Sequence, residues 1–121
     1  MNDYKELTDR YVAMWNETNP QRRNLTVREL WAEDGIECTA IRETRGHDAL
    51  ETRVAASHEK NVRDAGCLFR SLHNADGHHG LIKFNWEMFR TRDNTIQSTG
   101  FYMLLLDDAG KIRQAWLFVD P

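Results

Sequence analysis

Residues 81–106 read LIKFNWEMFRTRDNTIQSTGFYMLLL, and the fold is decided in this stretch. Ile82, Phe84, Trp86 and Met88 are apolar while Lys83, Asn85 and Glu87 between them are polar, which is the period of a half-buried strand. TRDNT then supplies turn residues, and Asp93-Asn94 tolerate the positive φ of a tight hairpin. After Gly100 the returning strand reads Phe-Tyr-Met-Leu-Leu-Leu, apolar at both parities. Both of its faces must therefore be covered, by the rest of the domain or by a partner chain. Four large side chains on one face of a long hairpin make either a solid core or one wall of a pocket.

Working outward from the hairpin, the upstream half alternates helix and strand signals. Tyr4, Leu7, Tyr11, Met14 and Trp15 recur at i, i+3/i+4 spacing and predict an amphipathic helix over 3–16 with an aromatic face. Asn19 and Pro20 are suited to the N-cap and first position of a second helix, which is expected to run to about Ala32 with Leu25, Leu30 and Trp31 as its apolar members. Gly35 is the expected left-handed stop. A short strand over 36–41, the loop RETRG and a third helix opening at Gly46-His47-Asp48 follow, with His47 expected to help cap it. The stripe of that helix is Leu50, Val54, Ser57 or His58, and Val62. Strand character returns from Gly66 to Leu72, HNADGHHG breaks it, and DDAG turns the chain into a last strand over 112–119. Helices gathered before a meander imply an α+β domain with the helices on one face of a curved sheet.

The 121 residues are 40% apolar and 29% charged, which predicts one globular domain over 1–121 with an ordinary core. A net charge of −3 with scattered basic residues argues against nucleic acid and against an anionic membrane surface as partners. No apolar run approaches the roughly 20 residues of a membrane span, and MNDYKELTDR lacks the apolar segment of a signal peptide, so a cytoplasmic location is expected. Cys38 and Cys67 fit two reduced, buried thiols.

YVAMWNE, LWAEDG, RGHDAL, DGHHGLIKFNWEM and DDAGKI, in that order over nearly the whole chain, resemble the SnoaL-like polyketide cyclase branch of the nuclear transport factor 2-like superfamily. The resemblance implies a cone-shaped, cystatin-like α+β barrel. Three helices would pack on a strongly curved, mainly antiparallel sheet that encloses an apolar cavity. Members of this superfamily include cyclases, ketosteroid isomerases, epoxide hydrolases, dehydratases and proteins with no catalysis, so the fold alone assigns no reaction. Against the ketosteroid isomerases, Tyr11 falls on a tyrosine and Tyr102 on an aspartate that together hold an oxyanion, and Thr39 falls on the aspartate that moves the proton. A threonine hydroxyl cannot take a proton near neutral pH, and a positioned base contributes roughly 10²–10⁴-fold, so isomerase activity is not carried over. Two phenols able to donate into one cavity remain, unless both simply pack in the core.

His58 is the other acid–base candidate, because it interrupts an apolar stripe; the alternative places it at the stripe's edge with Ser57 facing inward. Glu37 is expected at the solvated strand edge, or at the cavity mouth, and Glu87 on the outer face beside an arginine. No cofactor and no metal site are expected: His73, His78 and His79 do not converge as zinc ligands must. By alternation and the resemblance, Trp15, Thr39, Ile82, Phe84, Trp86, Met88, Gly100 and Leu117 line the cavity, with Gly100 leaving room opposite Trp86. Such a lining suits a small, apolar or cyclic molecule bearing one or two polar groups. Ala115, Leu117 and Val119 would face in, leaving Phe101, Met103, Leu105, Trp116 and Phe118 as an outer apolar patch for a homodimer. The reading is thus a small-molecule-binding protein, a cofactor-independent isomerase, cyclase or hydrolase using Tyr11, Tyr102 and His58. A non-catalytic binder or a dimerising scaffold is the alternative.

Overall fold

A computed structural model describes residues 4–121. Residue 3, where the first helix is expected to begin, lies outside the described residues. Helix α1 (Tyr4–Asn16) buries Tyr11, Val12, Met14 and Trp15 on the face that the spacing predicts. Helix α2 (Pro20–Leu30) starts as read, with the Asn19 side chain accepting from the backbone N–H groups of Gln21 and Arg22. It ends earlier than expected. Trp31 and Ala32 already belong to strand β1 (Trp31–Cys38), whose pairing with the last strand slips between Trp31 and Ile36. Gly35 is therefore no helix stop; it lies in this strand, where a Cβ would come within 2.8 Å of the Trp31 ring. Leu25 is 58% exposed, and the buried face of α2 is instead Arg23, Val27 and Leu30, spaced i, i+4, i+7.

Strand β2 (Glu43–Arg45) occupies part of the expected RETRG loop and pairs antiparallel with β1. Helix α3 (His47–Ser57) continues as a π-helical turn over His58–Asp64, which buries no residue. His47 makes no capping bond. Its Nε2 lies 2.9 Å from the Trp31 carbonyl oxygen, so the ring ties α3 to the start of β1. Strands β3 (Cys67–Ser71), β4 (Asp76–His78), β5 (Leu81–Arg90), β6 (Ile96–Leu106) and β7 (Ile112–Val119) complete the chain.

The sheet runs β2-β1-β7-β6-β5-β3, with β4 on the outer part of β5. All pairings are antiparallel except β1 with β7. The long hairpin is as predicted: Asn94 has φ 59, and Trp86 stands opposite Gly100 and Phe84 opposite Tyr102. Tyr11, Leu50, Val54, Ile82, Phe84, Leu104, Ile112 and Ala115 fill the space between helices and sheet. Ala115 and Leu117 face inward and Phe118 outward, the parity expected of the last strand. Glu87 pairs with Arg70. Both cysteines are free thiols, but only Cys67 is buried.

Candidate functional site

The interior is not uniformly packed. A cavity of about 280 Å³ remains between α1, α3 with its π-helical turn, and the ends of β5, β6 and β7. Tyr11 and Trp15 wall it from α1, Phe69 from β3, Trp86 and Met88 from β5, Tyr102 from β6 and Leu117 from β7. Ser57, Lys60, Asn61 and Ser98 add polar groups, and Arg53 reaches in from α3.

Its inner end is organised by an acid. Glu37 is 0% exposed, a location that a solvated strand-edge carboxylate could not have. Its Oε1 accepts from Arg53 Nε at 2.7 Å, and its Oε2 accepts from the Tyr102 hydroxyl at 2.8 Å. Burying a lone carboxylate would cost several kcal/mol, roughly, and the two bonds are what hold this one in place. Arg53 stands 5.2 Å over the Trp15 ring, so its cation is shared between a carboxylate and an aromatic face. Burial works against the guanidinium charge, but Glu37 outweighs it and the Arg53 pKa is raised.

The two phenols meet edge to face, their centroids 4.9 Å apart. Both are held well above the usual phenol pKa, first by burial and then by the negative charge of Glu37. Tyr102 spends its proton on Glu37. Tyr11 lies beside Tyr102 and Trp15, close enough to feel both, but its buried Oη has no hydrogen-bond partner among the described residues. The same holds for the indole N–H groups of Trp15 and Trp86.

Several expected members of the site sit elsewhere. Thr39 follows the end of β1 and folds into a turn, its hydroxyl accepting from the N–H groups of Ile41 and Arg42, so it does not wall the cavity. Ile82 and Phe84 are fully buried in the core behind the cavity and do not line it. Gly100 opens no room: a Cβ there would meet the Trp86 ring at 2.7 Å, because the indole has taken that space. Ser57, not His58, takes the inward place on α3. His58 is absent from the cavity wall; burial first, and then Arg23 and Arg63, lower its pKa and favour the neutral ring. Among the described residues no group of three or more His, Cys, Asp or Glu is arranged for a metal ion.

Several solved structures share the outline of this chain. A proposed isomerase of the SnoaL-like family from Agrobacterium tumefaciens superposes with a TM-score of 0.89 at 24% identity, over 100% of both chains. This is the cystatin-like, nuclear transport factor 2-like fold. A proposed polyketide cyclase from Sinorhizobium meliloti has a TM-score of 0.71 at 12% identity, over 93% of this chain and 94% of its own. A nuclear transport factor 2-like protein of unknown function from Exiguobacterium has 0.73 at 16%, over 94% and 98%. No protein-family model and no curated protein matches the sequence. No helix among the described residues is long and apolar enough to cross a membrane.

In this nuclear transport factor 2-like frame the ion pair is what the sequence reading missed. A signal for it existed in α3. Leu50, Arg53, Val54 and Ser57 follow i, i+3, i+4, i+7, so an arginine stands on the inward stripe, and a buried arginine requires an acid. Glu37 is the acid at the matching inward parity of β1.

Proposed function

We propose that the chain binds a small, largely apolar molecule in this cavity and acts on it as a cofactor-independent enzyme of the isomerase or cyclase kind. The observation that carries the reading is the Glu37–Tyr102 hydrogen bond, 2.8 Å long, which connects a fully buried carboxylate to a hydroxyl-bearing residue of the cavity wall. A proton removed from a carbon next to a ligand carbonyl passes to Tyr102 Oη as that oxygen's own proton passes to Glu37 Oε2. The negative charge thereby moves from Glu37 to the ligand oxygen. Arg53 lines the cavity and stays opposite an anion throughout, and Tyr11, the phenol with a free proton, donates to the new oxyanion. Positioned proton transfer of this sort contributes roughly 10²–10⁴-fold. His58 has no part in it.

The test is deuterium exchange. Cyclic ketones that raise the melting temperature are incubated with the protein in D₂O, and loss of the α-proton signal is followed by NMR. Wild type should catalyse exchange, and Glu37→Gln and Tyr102→Phe should each slow it at least tenfold while still binding. A second reading, binding without turnover, is favoured by the Arg53–Glu37 pair at 2.7 Å, which holds the carboxylate behind the cavity wall and out of a ligand's direct reach. Stabilisation by ligand with no exchange would select it. Failure of every apolar compound to stabilise the fold would remove both and leave a scaffold.

The same proposal includes a second copy of the chain. Phe101 and Phe118 stack at 4.6 Å on the outer face of the sheet, and Phe118 is 47% exposed. Met103 and Trp116 are directly paired beside them, so the patch is continuous and can cover itself about a twofold axis.

A further inference from the structure

Both cations that border the cavity, Arg53 and Lys60, bear on what enters it. Tyr11, Trp15 and Trp86 all wall the cavity, and each carries a buried donor without a partner among the described residues. Tyr11 lies beside both Trp15 and Tyr102, so these donors add a secondary preference for acceptors to the one that the cations set. Arg53 adds to them. Its Nε is used by Glu37, but among the described residues its two terminal nitrogens make no hydrogen bond, and the side chain keeps 18% exposure on the cavity side. Lys60 stands at the mouth with no ion pair among the described residues. No Asp or Glu lines the cavity, since Glu37 lies behind Arg53 and Tyr102. With Glu37 cancelling one of the two cations, the wall carries a net positive charge and a surplus of donors. Ser57, Asn61 and Ser98 are neutral groups that can donate or accept, and Val12, Phe69 and Leu117 belong to the apolar wall.

We infer that the ligand is a compact carboxylate, with its anionic oxygens on the terminal nitrogens of Arg53 and a ring or short chain against Phe69, Trp86 and Leu117. The planar fork of an arginine matches a carboxylate in a way that a lone ketone cannot use. At about 280 Å³ the cavity is at the lower limit of the roughly 300–1,000 Å³ usual for ligand sites, which favours a single-ring or short-chain acid over a polycyclic one. The inference rests on the small-molecule reading above and narrows it to a substrate class.

The experiment titrates ¹⁵N-labelled protein with benzoate and phenylacetate, and in parallel with benzamide, phenylacetamide and toluene. Carboxylates should bind at least tenfold more tightly than the matched amides, a difference of ~1.4 kcal/mol. They should also shift the indole N–H resonances of Trp15 and Trp86 while leaving that of Trp116 in place. Lys60→Gln, an exposed change that leaves the Arg53–Glu37 pair intact, should erase part of the preference. Arg53→Lys should erase most of it, with circular dichroism confirming the fold. Amides and toluene binding as tightly as the acids would overturn the inference and leave the small-molecule reading standing. No binding by any of the five would overturn the inference, while stabilisation by the cyclic ketones of the exchange test would keep the small-molecule reading.

Discussion

Tyr11 and Tyr102 show how far a burial site can change one residue's chemistry. Below about pH 10 both folded and unfolded chains keep these phenol protons, and stability is indifferent to them. Above it the unfolded chain releases protons that the folded chain retains, because the pKa of each is raised on folding. Stability should therefore fall as pH rises, by up to ~1.4 kcal/mol per pH unit for each tyrosine. Urea midpoints between pH 9 and 11 measure this, and Tyr11→Phe should remove one residue's share of the slope. Gly100 is the other decisive single position. Gly100→Ala pushes a methyl group into the Trp86 ring and the Phe118 carbonyl, and should cost about 1–3 kcal/mol in thermal or chemical unfolding. A neutral outcome would mean that both the indole and the β7 backbone at Phe118 can give way.

Among the elements, the β5–β6 hairpin was legible because one period ran unbroken from Ile82 to Met88 and a turn signal closed it. Strand β1 was not, and the reason is local. Its pairing slips between Trp31 and Ile36, which removes the simple alternation from which an inward Glu37 could be counted, and its first residues read as the end of a helix. Register borrowed from a resemblance fell on Thr39, two residues beyond the buried Glu37, where the strand has already ended. Helix positions fared better: the aromatic face of α1 followed from spacing alone. What spacing could not show is how α1 is anchored. The Asn16 side chain donates to the Phe69 carbonyl at 2.7 Å and accepts from the Phe69 N–H at 2.8 Å, in the manner of a neighbouring strand. Asn16→Ala should destabilise the protein by about 2 kcal/mol and speed hydrogen exchange at the Phe69 amide in particular, since both bonds are lost at once.

At the scale of the whole molecule, the outer face of the sheet makes its own prediction. Phe118→Glu places a charge beside Phe101 and should convert a dimer to a monomer in light scattering at micromolar concentration, with the melting transition retained. A wild type that is monomeric under the same conditions would dispose of the proposed twofold pairing. The strand order has a consequence of a different sort. Strand β7, latest of all in the chain, lies between β1 and β6, and it alone joins the early pair β1–β2 to the later strands. A nascent chain whose residues 112–119 are still inside the ribosomal exit tunnel therefore holds two unconnected pieces of sheet and an unfinished cavity. Assembly must wait for translation to pass this strand, and in the meantime the exposed edges of β1 and β6 are where a chaperone would be needed.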